Sequence, residues 1–444
     1  MGAKQPIDVD WLWQQLQNYS PFKRVVVALS GGVDSTVLLH LMRQLHQLHG
    51  LPLSAIHINH QLQTESNGWA SHCAELCESW QIPVQIEQVV VEKSGHGLES
   101  DARTARYQLF EKQLENGDIL LQGHHSDDQA ETVLMRLIRG SGVHGLAAIP
   151  EERELGLGRV VRPLLTISRQ QIVDYAEHHN LNWIEDPSNR DCTIERNLIR
   201  HELMPIIERQ RGGVKKALVR SAEQLRESAQ LLDQLAQLDL QTVQLEPLIL
   251  DCAALLNHER GRCRNLLRYW IAGNGYLPPA SKIIDQIIDE GLNSREDAHP
   301  CIDWFGAEVR RYRNRLYLMR RLVADFNHQP LNWDLQNELA LPEGLGLLKH
   351  ERRAGAGIRI ELLNEYKVSV RWREGGERIR PQGRVEHHTL KNLFQEAAVP
   401  PWLRERYPLI YLGEQLVAIP NLCVAEDFSA KEGDEGAVIQ WLPQ

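Results

Sequence analysis

The stretch Val25-Val-Val-Ala-Leu-Ser30-Gly31-Gly32-Val33-Asp34-Ser35-Thr36 passes from a β-branched apolar run, through a tight turn, directly into Val37-Leu-Leu-His-Leu-Met42. A strand apolar at successive positions is buried on both faces, which a helix-covered parallel sheet provides. Two adjacent glycines let the backbone turn sharply and present its N–H groups to an anion without a Cβ in the way. Hydroxyls on Ser30, Ser35 and Thr36 add donors, and the helix that follows offers the positive end of its dipole. Asp34 is the odd member, because a carboxylate beside a polyphosphate repels it unless a cation lies between them. Together these features predict a Mg²⁺–nucleotide site with Asp34 on the metal. No Gly-Lys-Ser/Thr follows the glycines, so this is not a Walker loop. The plainer reading, a strand-to-helix turn whose serines only cap the helix, leaves Asp34 unexplained.

The same alternation continues downstream. Strands are expected at Pro52–Asn59, 83–91, 118–122 and 160–165, with helices at 67–80, 103–114, 127–138 and, capped by Ser168, 169–179. This spacing implies a doubly wound parallel sheet with helices on both faces. Ligands of such sheets gather at the carboxyl ends of the strands, where Ser30–Ser35 and His124–Asp128 both fall. The alternation stops near Pro205. A helical region follows, then a small α+β module with a hairpin about Gly413, so the expected domains are 1–208, 209–325, a linker at 326–361, and 362–444. At 444 residues several domains are required. The N-terminus has no signal-peptide core and no run reaches membrane-span length, so a cytoplasmic protein without membrane contact is expected. Seven cysteines, odd in number and without Cys-x-x-Cys spacing, read as reduced thiols.

Three further clusters carry chemistry. In Gly123-His124-His125-Ser126-Asp127-Asp128-Gln129-Ala130-Glu131-Thr132, Asp127 or Asp128 could cap a helix, which is the plainer reading of the cluster. Capping does not account for His124, Asp128 and Glu131 together. Residues three apart on a helix point the same way, and a carboxylate pair aimed at a nucleotide site would hold Mg²⁺ or an amine. In Gly95-His-Gly-Leu98-Glu-Ser-Asp-Ala102-Arg103-Thr-Ala-Arg106-Tyr107, Arg103 and Arg106 share a helix face and could bind phosphate bidentately. After the turn Asp186-Pro-Ser188-Asn189, Arg196 and Arg200 form a second basic stripe. For any one of these arginines the simpler reading is a solvated charged face.

The first motif resembles the signature of the PP-loop ATP pyrophosphatases, which split ATP between the α and β phosphates and adenylate a carbonyl oxygen. The ordered set is closer still to one family. It comprises Ser-Gly-Gly-Val-Asp-Ser, Leu98-Glu-x-x-Ala-Arg-x-x-Arg-Tyr, Gly-His-His-x-Asp-Asp-Gln-x-Glu-Thr, Arg139-Gly-Ser-Gly142, Arg162-Pro-Leu-Leu, Glu185-Asp-x-Ser-Asn and Arg196-Asn-x-Ile-Arg, and it resembles tRNA(Ile)-lysidine synthetase. The stretch from His388 to Arg404 is similar to that family's last domain. The resemblance implies a ligase that adenylates the C2 oxygen of the wobble cytidine in CAU-anticodon tRNA(Ile). Free L-lysine then attacks C2, leaving lysidine and releasing AMP and pyrophosphate, so that the tRNA reads AUA. By the same resemblance, Ser30, Gly31, Gly32, Val33, Asp34 and Ser35 hold ATP, and Asp34 also holds Mg²⁺. Asp128 and Glu131 orient or deprotonate the lysine beside His124, while Arg103, Arg196 and Arg200 support phosphate or the activated base. A homodimer in at least some members is implied too.

An RNA partner needs positive charge, and the net charge is −10. Local excesses answer this: residues 190–226 hold nine Lys/Arg against five Asp/Glu, and 371–406 hold eight against five. Arg404 and Arg406, near Trp402, are expected to track the RNA backbone or stack. The rival enzyme is a PP-loop tRNA sulfur transferase working through the same adenylate, which would need cysteines placed for a cluster or persulfide. Small-molecule amide-forming relatives would not need two basic C-terminal modules, and a non-catalytic RNA binder leaves Asp34, Asp128 and Glu131 without a purpose.

Overall fold

The computed structural model describes residues 7–59, 61, 65–89, 98–295, 298–322, 326 and 328–443, and the side chains from 102 onward in the helix that begins at Leu98. Gly95, His96 and Gly97 of the third cluster lie outside the described residues, as do Val90 and Val91 of the expected third strand. The chain forms two compact units, Met1–Leu232 and Asp233–Gln444.

In the first unit the elements run α1 (Val9–Gln17), β1 (Arg24–Ala28), α2 (Val33–His49), β2 (Leu53–Asn59), α3 (Ser66–Ser79), β3 (Val84–Gln88), α4 (Leu98–Gln113) and β4 (Asp118–Leu121). Then come α5 (Ser126–Ile138), α6 (Val143–Leu146), β5 (Glu152–Leu155), β6 (Gly158–Val161), α7 (Arg169–His178), α8 (Glu195–Leu198), α9 (Met204–Gln210) and the start of α10 (Val214–Val243). Strand order is β3-β2-β1-β4-β6-β5. β1 pairs in parallel with both neighbours, Val27 standing opposite Ala55 on one side and Leu121 on the other. The order reverses at β1 and β4, and their carboxyl ends border the crevice where doubly wound sheets bind ligands.

Alternating residues of β1 explain why the strand is apolar throughout. Val25 and Val27 face a layer built from Val37, Leu38, Leu41 and Met42 of α2, Leu12 and Leu16 of α1, and Ile172 of α7. Val26 faces the other way, against Leu120, Val160, Phe110 and Leu114. One expected strand is shorter than its sequence implied. Residues 160–165 leave the sheet at Arg162, and Pro163 begins a 3₁₀ turn over Pro163–Thr166, since a proline has no N–H for the ladder. The antiparallel hairpin β5–β6 was not foreseen, because Glu152–Leu155 is short and charged.

In the second unit, helices such as Arg260–Gly273 pack on a five-stranded antiparallel sheet around Trp270, Leu266, Ile302 and Leu316. Leu331–Trp333 and Leu347–Ala354, from the stretch read as a linker, are strands of the C-terminal sheets; Leu347–Ala354 pairs along its length with Glu435–Leu442. The hairpin Leu409–Leu412/Gln415–Ile419 is present. No helix among the described residues is long and apolar enough to cross a membrane.

Candidate active site

The turn after β1 is built as an anion cradle. Gly31 adopts φ +88°, a left-handed conformation that costs other residues roughly 1–2 kcal/mol. Its carbonyl accepts from the N–H of Ile184 at 2.9 Å, and an added Cβ would lie 3.0 Å from the Ile184 Cδ1. Gly32 begins α2 with extended backbone and no side-chain cap, so the first-turn N–H groups keep their positive end open. Ser35 turns out to be a brace. Its buried Oγ accepts from the Ser30 N–H at 3.1 Å, lies 3.0 Å from the Ser30 Oγ and donates to the Gly32 carbonyl at 3.1 Å. Val33 buries its side chain in the core, leaving its N–H as its contribution to the cradle. Ser30 is exposed, and its hydroxyl accepts from the Gly32 N–H at 3.4 Å beside the Ser35 Oγ.

The second motif meets the first across β1 and β4. Gly123, just past β4, lies so close to α2 that an added Cβ would be 3.0 Å from the Asp34 carbonyl carbon and 3.1 Å from the Ser35 nitrogen. Neither expected aspartate caps α5; His125 does. Its Nδ1 accepts from the Asp128 N–H at 3.3 Å, and the Asp128 carboxylate accepts from the His125 N–H at 3.0 Å, a reciprocal capping box. With Nδ1 accepting, the network assigns the ring proton to Nε2, which stands 3.6 Å from both Asp34 Oδ1 and Asp128 Oδ2. Asp127 serves elsewhere: it accepts from the Arg169 N–H at the start of α7 and pairs with Lys215 at the start of α10.

Asp34 Oδ1 is buried and has no hydrogen-bond partner. Burial raises the Asp34 pKa above the usual carboxylate value, and Asp128 adds to the rise. An unpartnered carboxylate oxygen beside an open helix N-terminus fits a cation shared with phosphates, since Mg²⁺ commonly takes only one or two protein carboxylates. Among the described residues no group of three or more ligating side chains forms a self-sufficient metal site.

Asp128 and Glu131 do converge, and Arg196 and Arg200 are their partners. Arg196 donates to Asp128 Oδ1 at 2.8 Å and to Glu131 Oε2 at 3.1 Å; Arg200 donates to Glu131 Oε1 at 2.7 Å, Glu131 Oε2 at 2.9 Å and Asp128 Oδ1 at 3.1 Å. Burial alone would raise the Asp128 pKa, but His125 and Arg196 outweigh it and bring it down to about 2. A carboxylate so stabilised is a poor proton acceptor near neutral pH. Of the two roles expected of Asp128, orienting or deprotonating the lysine, this low pKa weighs against the second. The guanidiniums of Arg196 and Arg200, expected to support phosphate or the activated base, are bound to carboxylates here. His124 lies beside this network with its Nδ1 buried and unpartnered, and burial pushes its pKa down to about 3. Arg103, exposed on α4, is near enough to oppose protonation of His124.

The basic stretches sort themselves unevenly. Arg404 donates to the Val399 carbonyl and the Tyr312 hydroxyl, and Arg406 pairs with Glu343; both are half-buried. Arg209, Arg211, Lys216 and Arg220 are exposed and form no ion pair among the described residues.

Residues 8–207 match the PP-loop domain family, 250–317 the TilS substrate binding domain and 368–441 the TilS substrate C-terminal domain. Two similar proteins are both named tRNA(Ile)-lysidine synthase. One, from Coxiella burnetii, is 42% identical over 94% of this chain and 93% of its own. The other, from Serratia proteamaculans, is 39% identical over 94% and 95%. The chain belongs to the tRNA(Ile)-lysidine synthase family. A solved structure of a U34-tRNA thiolase from Methanococcus maripaludis is 21% identical, covering 49% of this chain and 78% of that one, with a TM-score of 0.41.

Sequence reasoning missed three contributors: Gly123 as the contact between the two motifs, His125 as cap and neighbour of Asp34, and Ile184 as the wall behind Gly31. Gly123 and His125 were inside a quoted motif, and a glycine at a strand's carboxyl end was itself the signal of close backbone approach.

Proposed function

We propose that this protein joins free L-lysine to C2 of the wobble cytidine in CAU-anticodon tRNA(Ile), using ATP. The carrying observation is the meeting, at the carboxyl ends of β1 and β4, of an uncapped helix N-terminus with the buried, unpartnered Asp34 oxygen. The glycine turn and the first-turn N–H groups of α2 bind the ATP phosphates, leaving the α-phosphorus open to the cytidine C2 oxygen. Asp34 would hold Mg²⁺, which offsets negative charge as pyrophosphate departs. Asp128 and Glu131, locked by Arg196 and Arg200, hold fixed oxygens that orient the lysine side chain toward C2 of the adenylated base, its ammonium proton passing to solvent before the free amine attacks. His124, held neutral by burial, offers the amine a hydrogen-bond acceptor without adding charge.

We assign residues 1–208 to ATP chemistry and 209–325 and 362–444 to tRNA, in keeping with the family matches at 8–207, 250–317 and 368–441. The exposed cations Arg209, Arg211, Lys216 and Arg220 supply local attraction that the net charge of −10 does not. The cytoplasm, where tRNA, ATP and lysine meet, is the compartment of such a reaction. Sedimentation will show whether a homodimer forms. The sulfur-transferase alternative fares worse. Burial pushes the Cys73 thiol up to about 12 and the Cys77 thiol up to about 11, far from a nucleophilic thiolate.

The test is incubation with ATP, CAU-anticodon tRNA(Ile) and labelled lysine. Label is expected in RNA with stoichiometric AMP and pyrophosphate. ATP turnover without lysine incorporation would overturn the reading.

A further inference from the structure

On the sheet face opposite α2, three arginines surround one tyrosine. The guanidinium carbon of Arg153 lies 3.9 Å from the centre of the Tyr107 ring, and that of Arg103 lies 5.1 Å away. Arg162, only 2% exposed, donates to the Tyr107 hydroxyl at 3.3 Å and to the Pro150 carbonyl at 2.7 Å. None of the three forms an ion pair among the described residues. Glu152, next to Arg153 in sequence, is taken by Arg159 at 2.7 Å. The Nε atoms of Arg153 and Arg162 are buried without a hydrogen-bond partner, and so is the Nδ1 of His124 close by.

Partly desolvated like charges without a counter-charge are costly. Their clustering also pulls the Tyr107 hydroxyl toward ionisation, although burial opposes it. Guanidinium forks match the geometry of a phosphate, and Arg153 and Arg162 approach Tyr107 from different strands, β5 and the end of β6. We propose that the cluster of Arg103, Arg153 and Arg162 around Tyr107 binds a phosphate group. This rests on the reading above for the source of that group: the tRNA backbone beside the target cytidine, or the pyrophosphate half of ATP. The cluster sits at the ends of β4 and β6, on the side of β4 away from the glycine turn, which favours the RNA.

The experiment uses the full chain with Arg153→Gln and Arg153→Lys, Arg153 being the least buried partner of the pair with orphaned Nε atoms. Binding of CAU-anticodon tRNA(Ile) is measured across a salt series, alongside KM for ATP and inhibition by inorganic pyrophosphate. If the phosphate is RNA, Arg153→Gln weakens tRNA binding roughly tenfold and lowers the salt slope by about one, with Arg153→Lys recovering most of it. If it is pyrophosphate, tRNA binding is unchanged while KM for ATP rises roughly tenfold and pyrophosphate inhibits less, again with recovery by lysine. Wild-type values in both arms, or equal losses in both variants, overturn the proposal. Failure of the wild type to form lysidine would instead sink the proposed function, because the tRNA and pyrophosphate readouts need no lysine incorporation.

Discussion

Replacing Gly123 by alanine tests whether the two halves of the site are held together by backbone contact. The new Cβ would lie 3.0 Å from the Asp34 carbonyl carbon, 3.1 Å from its oxygen and 3.1 Å from the Ser35 nitrogen. Unstrained carbon contacts begin near 3.5 Å, so the start of α2 and the end of β4 must separate by about 0.5 Å. These are main-chain atoms, and no rotamer change relieves them. Overpacking of this kind costs about 1–3 kcal/mol. Because Gly123 does not have positive φ, alanine returns about 0.4–1 kcal/mol by restricting the unfolded chain. The net loss of stability is therefore small, on the order of 1 kcal/mol. Activity should suffer more. A misplacement of ~1 Å costs about a hundredfold, so half of that predicts roughly a tenfold fall in kcat for AMP formation. The assay is steady-state AMP release beside urea unfolding. Gly68→Ala is the control: Gly68 is in α3 with nothing within 4 Å, and alanine there should leave kcat alone and add up to ~1 kcal/mol. A Gly123→Ala enzyme with kcat within about twofold of wild type would refute the argument that this approach sets the site's geometry.

Three other predictions follow from the charges. Glu131→Gln removes the charge that accepts three arginine hydrogen bonds in a 5%-exposed side chain, and should cost about 2–4 kcal/mol in urea unfolding and most lysine incorporation; a cost under about 0.5 kcal/mol would show the network is not coupled. His124 has a folded pKa of about 3 against 6.5 for the free side chain. Below about 6.5 the unfolded chain gains a proton that the folded chain refuses, so stability falls as pH drops from there toward 3. His124→Asn should lose less stability than wild type between about pH 7.5 and 5, and parallel losses would refute the assignment. Finally, Lys216→Gln/Arg220→Gln should flatten the salt dependence of tRNA binding by about one to two in slope, with no change in KM for ATP; an unchanged slope would remove this stripe from the RNA interface.

What could be read from the sequence divides by the range of the interaction. The β1–turn–α2 unit was legible because every determinant is local: β-branched residues, two glycines and an apolar-periodic helix within 18 residues. The end of β6 was misjudged because Val160 to Leu165 is apolar throughout, and only the missing N–H of Pro163 marks where the ladder stops. Cap identity was misjudged for a related reason. Aspartate is the better capper in general, yet Asp128 can accept from the His125 N–H only if His125 occupies the capping position, and the pair settles the register between them.

The role of Asp128 and Glu131 was the least legible feature, since it depends on partners 65 to 72 residues away. The spacing of three correctly put both carboxylates on one face of α5, and the spacing of four put Arg196 and Arg200 on one face of the later helix. What the sequence could not say was that the two faces meet. Once they do, two acids and two guanidiniums bind one another, and Asp128, its pKa brought down to about 2, loses its basicity while keeping its position. Asp34 has no such guanidinium bond: its buried Oδ1, 3.6 Å from the His125 Nε2, is without a hydrogen-bond partner. The division of labour among three acids thus follows from where the arginines of a distant helix land.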